Sequence, residues 1–229
     1  MGKRSKMIDM AMIQNLELAL DQEPPAFLSR LLAFIQDYGI EDMPVLVWQC
    51  RPCEEAEIEV LGPPFLDVLP SGAVASTRTE GWCGFRSTHK PVPVFAGLSS
   101  AEPAGAPGWA SELHTDGHLI AGLWDFSHAS PAPGHGHCIT GSHAEAFLDF
   151  AQFAERVARL VAPQGRFQMT ATLVHAANLR FRWSDEIQHP APRQVLREVL
   201  QWRVRSGPVS ELRAIGARMA NDFRRAYGI

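Results

Sequence analysis

Between Ile139 and Trp183 the spacing of apolar residues changes from a helical to a strand period, and the change divides the stretch into one helix and two strands. Phe147, Phe150, Ala151, Ala154, Val157 and Val161 recur at three- and four-residue steps, the period of a helix with one buried face. Glu155, Arg156 and Arg159 fall largely on the other side. Ser142 with Glu145 three residues later has the spacing of a capping box, in which hydroxyl and carboxylate each satisfy an unpaired backbone N–H, so the helix is expected over 143–161. Pro163 and Gly165 close it, since proline cannot continue a helix and glycine tolerates the left-handed exit. From Arg166 to Val174 the period falls to two: Phe167, Met169, Ala171 and Leu173 point one way, Gln168, Thr170 and Thr172 the other. Leu179, Phe181 and Trp183 alternate with Arg180, Arg182 and Ser184 in a shorter strand. With His175–Asn178 as a tight connection, the two strands read as an antiparallel hairpin that carries Arg180 and Arg182 on its outer face.

The same reading extends to the rest of the chain. Met7–Leu20 and Ala26–Tyr38 have helical spacing, with Pro24 and Pro25 between them and Gly39 as a C-terminal stop, which predicts a helical hairpin. Val45–Gln49, Glu57–Leu61 and Ala73–Arg78 read as short strands, and the prolines of Pro91–Ala96 confine it to an edge. Pro63, Pro64, Pro70 and Gly72 mark loops, and Ser99–Pro107 is rich enough in Ser, Ala, Gly and Pro to be a long loop. Asp116-Gly117 is a favoured hairpin turn between Glu112–Thr115 and His118–Phe126, and the second limb is apolar on both faces, as a central strand would be. Arg193–Val204 and Val209–Tyr227 read as amphipathic helices joined by Ser206-Gly207-Pro208. The expected fold is therefore α+β: a mainly antiparallel sheet with a packed central helix, an N-terminal helical hairpin and two C-terminal helices. Residues 1–190 would form the core domain and 191–229 a helix pair packed on it.

Charge changes this picture more than composition does. The net charge is −4, yet residues 1–150 hold 8 Lys and Arg against 19 Asp and Glu, whereas residues 151–229 hold 13 against 6, all 13 cations being Arg. Such asymmetry suits an anionic partner, or parts of the chain that attract each other. No apolar run approaches the roughly 18 residues that span a bilayer, and Asp9, Gln14, Asn15 and Glu17 interrupt any signal-peptide core. The expected location is cytoplasmic, with no membrane partner and with the four cysteines reduced.

Two constellations could carry chemistry. His128, His135, His137, Cys138 and His143 lie within sixteen residues, with His114 and His118 just upstream across the predicted hairpin. Imidazole and thiolate are natural zinc ligands, so His135, His137, Cys138, His114 and His118 are the candidate metal ligands. Their spacing follows no H-E-x-x-H or paired C-x-x-C pattern. Cys50 and Cys53 form a single C-x-x-C followed by Glu54, Glu55 and Glu57, which would raise the thiol pKa and disfavour redox work. Gly134, Gly136 and Gly141 match no phosphate-loop fingerprint, and Ser142 lacks a nucleophile elbow.

The second constellation is the C-terminal arginines. Arg193 and Arg197 are four apart; Arg218 and Arg225 line one edge of the last helix, Arg213 and Arg224 the other. Guanidinium donates paired hydrogen bonds that fit phosphate and carboxylate. The favoured expectation is a non-enzymatic binding or accessory protein without cofactor. Arg193, Arg197, Arg213, Arg218, Arg224 and Arg225, with Arg180 and Arg182 next, would engage an anionic protein or nucleic acid. A homo-oligomer joined through the acidic N-terminal and basic C-terminal halves is one form of this. The competing expectation is a zinc-dependent hydrolase built on the histidine-rich loop 114–143.

Overall fold

The computed structural model describes residues 24–68, 91–101, 108–124, 138–182 and 195–228. The chain divides into two compact units, Met1–Glu41 and Asp42–Ile229. In the first, α1 (Pro25–Tyr38) buries Phe27, Leu31, Phe34 and Ile35, and Gly39 caps it in the left-handed conformation at φ 62°. This is the second helix of the expected hairpin; Met7–Leu20 lies outside the described residues, as does the expected strand Ala73–Arg78.

The second unit is built on an antiparallel sheet. Its strands are β1 (Val45–Pro52), β2 (Val92–Val94), β3 (Gly97–Ala101), β4 (Trp109–His114), β5 (Leu119–Trp124), β7 (Arg166–Val174), β9 (Val199–Gln201) and β10 (Arg205–Pro208). They lie in the order β10-β7-β1-β5-β4-β3-β2, with β9 beside β10 on the same edge of β7. β6 (Cys138–Thr140) and β8 (Arg180–Arg182) pair in parallel as a separate sheet. Helix α2 (Pro63–Val68) is short; α3 (Gly141–Val161) and α4 (Leu212–Tyr227) are long. The chain ends in two successive helical elements, a 3-10 turn at Val209–Glu211 and α4. The α+β class is as the sequence predicts, and no described helix is long and apolar enough to cross a membrane.

The core follows from strand register. Trp48 stands opposite Ala121 on β5 and Ala171 on β7. That row, with Leu46, Leu113, Leu119, Leu123, Met169 and Leu173, makes one buried apolar face. Phe147 meets the Trp48 ring edge-on at 5.4 Å, and Phe150 stacks on it at 6.2 Å. The α3 and α4 helices run antiparallel: Arg213 reaches Glu155, while Phe223 touches Phe147 at 5.5 Å. At their crossing Gly216 lies so close to α3 that a Cβ would stand 2.3 Å from that of Ala151. The end of α3 lies over the end of β1, where Val161 borders Gly117 and Pro52. The other sheet face is buried too, although it carries Gln49, Glu112, Thr170 and Thr172. The polar side of β7 is thus enclosed.

Several local expectations are corrected. Arg193–Val204 is not helical over its described part: Val199–Gln201 is β9, Leu200 pairs with Leu173, and the Trp202 N–H donates to the Ala171 carbonyl. Read with period two, Leu200 and Trp202 both reach the core, whereas Leu196, which a helical period would place on the same side as Leu200, is 94% exposed. Ser206-Gly207-Pro208 is part of β10, not a turn. The β7–β8 hairpin does not form, because β1 takes one edge of β7 and β10 and β9 take the other. The chain leaves through His175 at φ 54° and a 3-10 turn, Ala176–Asn178, so β8 pairs with β6. Helix α3 begins at Gly141, capped by Thr140, whose N–H donates to His143 Nδ1 at 3.0 Å, rather than by a Ser142–Glu145 box. Glu57–Leu61 is irregular, Pro63 and Pro64 open α2, where missing donors cost little, and Ser99–Ala101 belongs to β3.

Candidate anion-binding surface

Helix α4 follows β10 after the 3-10 turn Val209–Glu211 and buries Leu212, Ile215, Met219, Phe223 and Tyr227, so its remaining sides carry the arginines. Trp202 fixes it from below by donating Nε1–H to the Met219 carbonyl at 3.0 Å. The arginines divide into those held by partners within the fold and those aimed outward.

Arg213 belongs to the first kind. Together with Arg159 it binds the Glu155 carboxylate; the Arg159 bond measures 2.5 Å. Burial pushes the Glu155 carboxyl up, but the hydrogen bonds and charges of Arg159 and Arg213 outweigh it and hold the group below the usual carboxylate range. Arg213 therefore ties α4 to α3.

On the other edge, Arg205 Nη2 binds Asp222 Oδ2 at 2.7 Å, and Arg225 Nη1 lies 3.7 Å from Oδ1 of the same carboxylate. Arg225 is 80% exposed, so its pair is heavily screened. Arg218, one turn before Asp222, is exposed and has no ion-pair partner among the described residues. Arg224 donates to Asn221 Oδ1 at 3.1 Å. Arg205 and Arg225 thus share the carboxylate of Asp222 while Arg218 pairs with no acid among the described residues, which leaves cationic donors in excess along this edge. Arg205 was not a candidate from sequence, because it fell between the expected helix, which ended at Val204, and the expected turn at Ser206; the strand turns it toward α4.

Arg197 is exposed just before β9. Arg193 lies outside the described residues, and the side chains of Arg180 and Arg182 lie outside the described ones, although their backbones form β8. The chain matches no protein-family model, no curated protein and no solved structure. Function must therefore be argued from the surface itself.

The histidines take a different place. His114 Nε2 lies 2.9 Å from Glu112 Oε2, both side chains being buried on β4. His118 is buried, its carbonyl accepting the His114 N–H, and His143 serves the α3 cap. His128, His135 and His137 lie outside the described residues, as does the side chain of Cys138. Among the described residues, no three His, Cys, Asp or Glu side chains converge as metal ligands would. Cys50 sits in the core, where burial, and then Cys53, push its thiol up. Cys53 is exposed; burial and Glu54 raise its thiol, and Arg166 and Arg51 only partly oppose them.

Proposed function

We propose that this chain is a non-enzymatic binding protein whose C-terminal arginine surface engages an anionic macromolecule, a protein or a nucleic acid. The observation that carries the reading is the outer edge of α4, where Arg205 and Arg225 share the carboxylate of Asp222 and Arg218, one turn earlier, is exposed, on a helix anchored through Trp202. A rigid helix presents guanidinium groups with little ordering cost, and each can donate two parallel bonds to phosphate or carboxylate. Arg197 and Arg224 extend the surface, whereas Arg213 stabilises the helix pair.

Fluorescence titration of a labelled single-stranded oligonucleotide and a labelled poly-glutamate peptide tests the reading. At least one probe should bind at low salt, with or without chelator, and release as salt rises. The Arg218→Glu/Arg225→Glu chain should bind it at least tenfold more weakly, since each reversal exchanges an attraction for a repulsion. Equal affinity of parent and variant for both probes would refute the assignment.

A further inference from the structure

We infer that the partner of this arginine surface is a second copy of the same chain, docked through an acidic cleft beside the end of β1. The inference rests on the binding role proposed above and names its partner. The cleft, about 640 Å³, is lined by Arg51, Glu54, Glu55, Glu57, Thr115 and Asp116: four carboxylates against one guanidinium. All four acids are exposed, and Glu54, Glu55 and Glu57 have no ion-pair partner among the described residues. The backbone holds this wall in place. The Cys53 N–H donates to the Arg166 carbonyl and the Ile58 N–H to the Thr115 carbonyl, each at 2.8 Å, bracketing the glutamates between β7 and the β4–β5 turn.

The two surfaces are complementary in sign but do not pair within one chain: Arg218 and the three glutamates have no ion-pair partner among the described residues, and Arg225 lies beside Asp222. The cleft lies where β1 ends, beneath the end of α3. Helix α4 starts at that end and runs back antiparallel to α3, with Arg218 about 9 Å and Arg225 about 20 Å along it from its first residue by the helical rise. Copies would associate head to tail, the glutamates of one receiving Arg218 and Arg225 of the next. Exposed ion pairs are weak and salt-screened, so the association belongs on the order of 100 µM at low salt.

Sedimentation velocity on the full chain over a concentration series at low salt tests this. The parent should show a mass that rises with concentration and returns to monomer at high salt. Glu54→Arg/Glu57→Arg alone, and Arg218→Glu/Arg225→Glu alone, should each remain monomeric. An equimolar mixture of the two should associate again, because the glutamates placed on α4 meet the arginines placed in the cleft. Since all four positions are surface sites, circular dichroism and melting should match the parent in both variants. A parent that stays monomeric throughout, or a mixture that fails to associate, would overturn the inference. If the parent is monomeric while Arg218→Glu/Arg225→Glu still weakens the polyanion probes, the partner assignment fails and the binding role stands. If neither property responds, both fail.

Discussion

Replacing Gly216 by alanine puts a methyl group where α3 and α4 cross. The new Cβ would stand 2.3 Å from Ala151 Cβ and 2.9 Å from the Phe147 carbonyl oxygen. Carbon atoms rest about 3.5–4.0 Å apart, so α4 must withdraw by more than about 1 Å; neither obstacle is the free end of a flexible side chain. Helix propensity opposes this loss, since alanine is favoured over glycine by about 0.8–1.0 kcal/mol in a helix interior. Overpacking costs about 1–3 kcal/mol. The upper part of that range applies because withdrawal also loosens Phe147 from Trp202 and Phe223, now at 5.1 and 5.5 Å. The net loss should be about 1–2 kcal/mol. Urea unfolding would read it as a lower midpoint at unchanged slope, and melting as a fall of roughly 2–8 °C. Adding Ala151→Gly removes the nearer obstacle and should recover part of the loss, an interaction that a double-mutant cycle resolves. A Gly216→Ala chain as stable as the parent would refute the close crossing, and with it the seating of the helix that carries the arginines.

Gly117→Ala should cost about 1–2 kcal/mol in the same assay, because φ is 73° there and the new Cβ would meet Val161 at 2.9 Å and Pro52 at 3.0 Å; a neutral substitution would contradict the β4–β5 turn. Because the Glu155 carboxyl is held below its usual pKa in the fold, its contribution is present above the unfolded-state pKa and fades as pH falls through the folded one. Urea midpoints measured from neutral pH down to about pH 3 should therefore fall less steeply for Glu155→Gln than for the parent, and parallel curves would refute the Arg159–Glu155–Arg213 cluster. In a chain with Cys83 and Cys138 replaced by serine, a thiol reagent should label Cys53 in the folded state, increasingly at alkaline pH, and Cys50 only after unfolding; rapid labelling of Cys50 would contradict its burial.

The elements legible in the sequence are those whose period is long and unbroken. Arg166–Val174 is a strand over its full predicted extent, the 143–161 helix appears with its start moved two residues earlier, and Asp116-Gly117 turns the expected hairpin with β5 central in the sheet. What sequence could not supply was competition for sheet edges. Leu179–Trp183 has fair strand alternation, but the neighbouring edges of β7 are filled by segments distant in the chain, so β8 pairs with β6. Leu196, Val199 and Leu200 fit a helical stripe over too few residues to exclude a strand, and Trp202 settles the matter through a bond to Ala171. The same error hid Arg205, whose role beside Asp222 depends on β10. On α4 the two arginine edges were legible from angular position alone, but not their difference: Arg213 is engaged by a buried carboxylate 58 residues away, while Arg218 stays open to solvent.

The most direct test of the binding role is the slope of log affinity against log salt for the oligonucleotide probe, measured on the parent and on Arg218→Glu/Arg225→Glu. Each arginine that neutralises a phosphate displaces counterions, so the account predicts for this single-stranded probe a slope shallower by about 0.7 for each arginine removed, roughly 1.4 in all. Identical slopes and affinities for the two chains, together with equal affinities for the poly-glutamate probe, would contradict it.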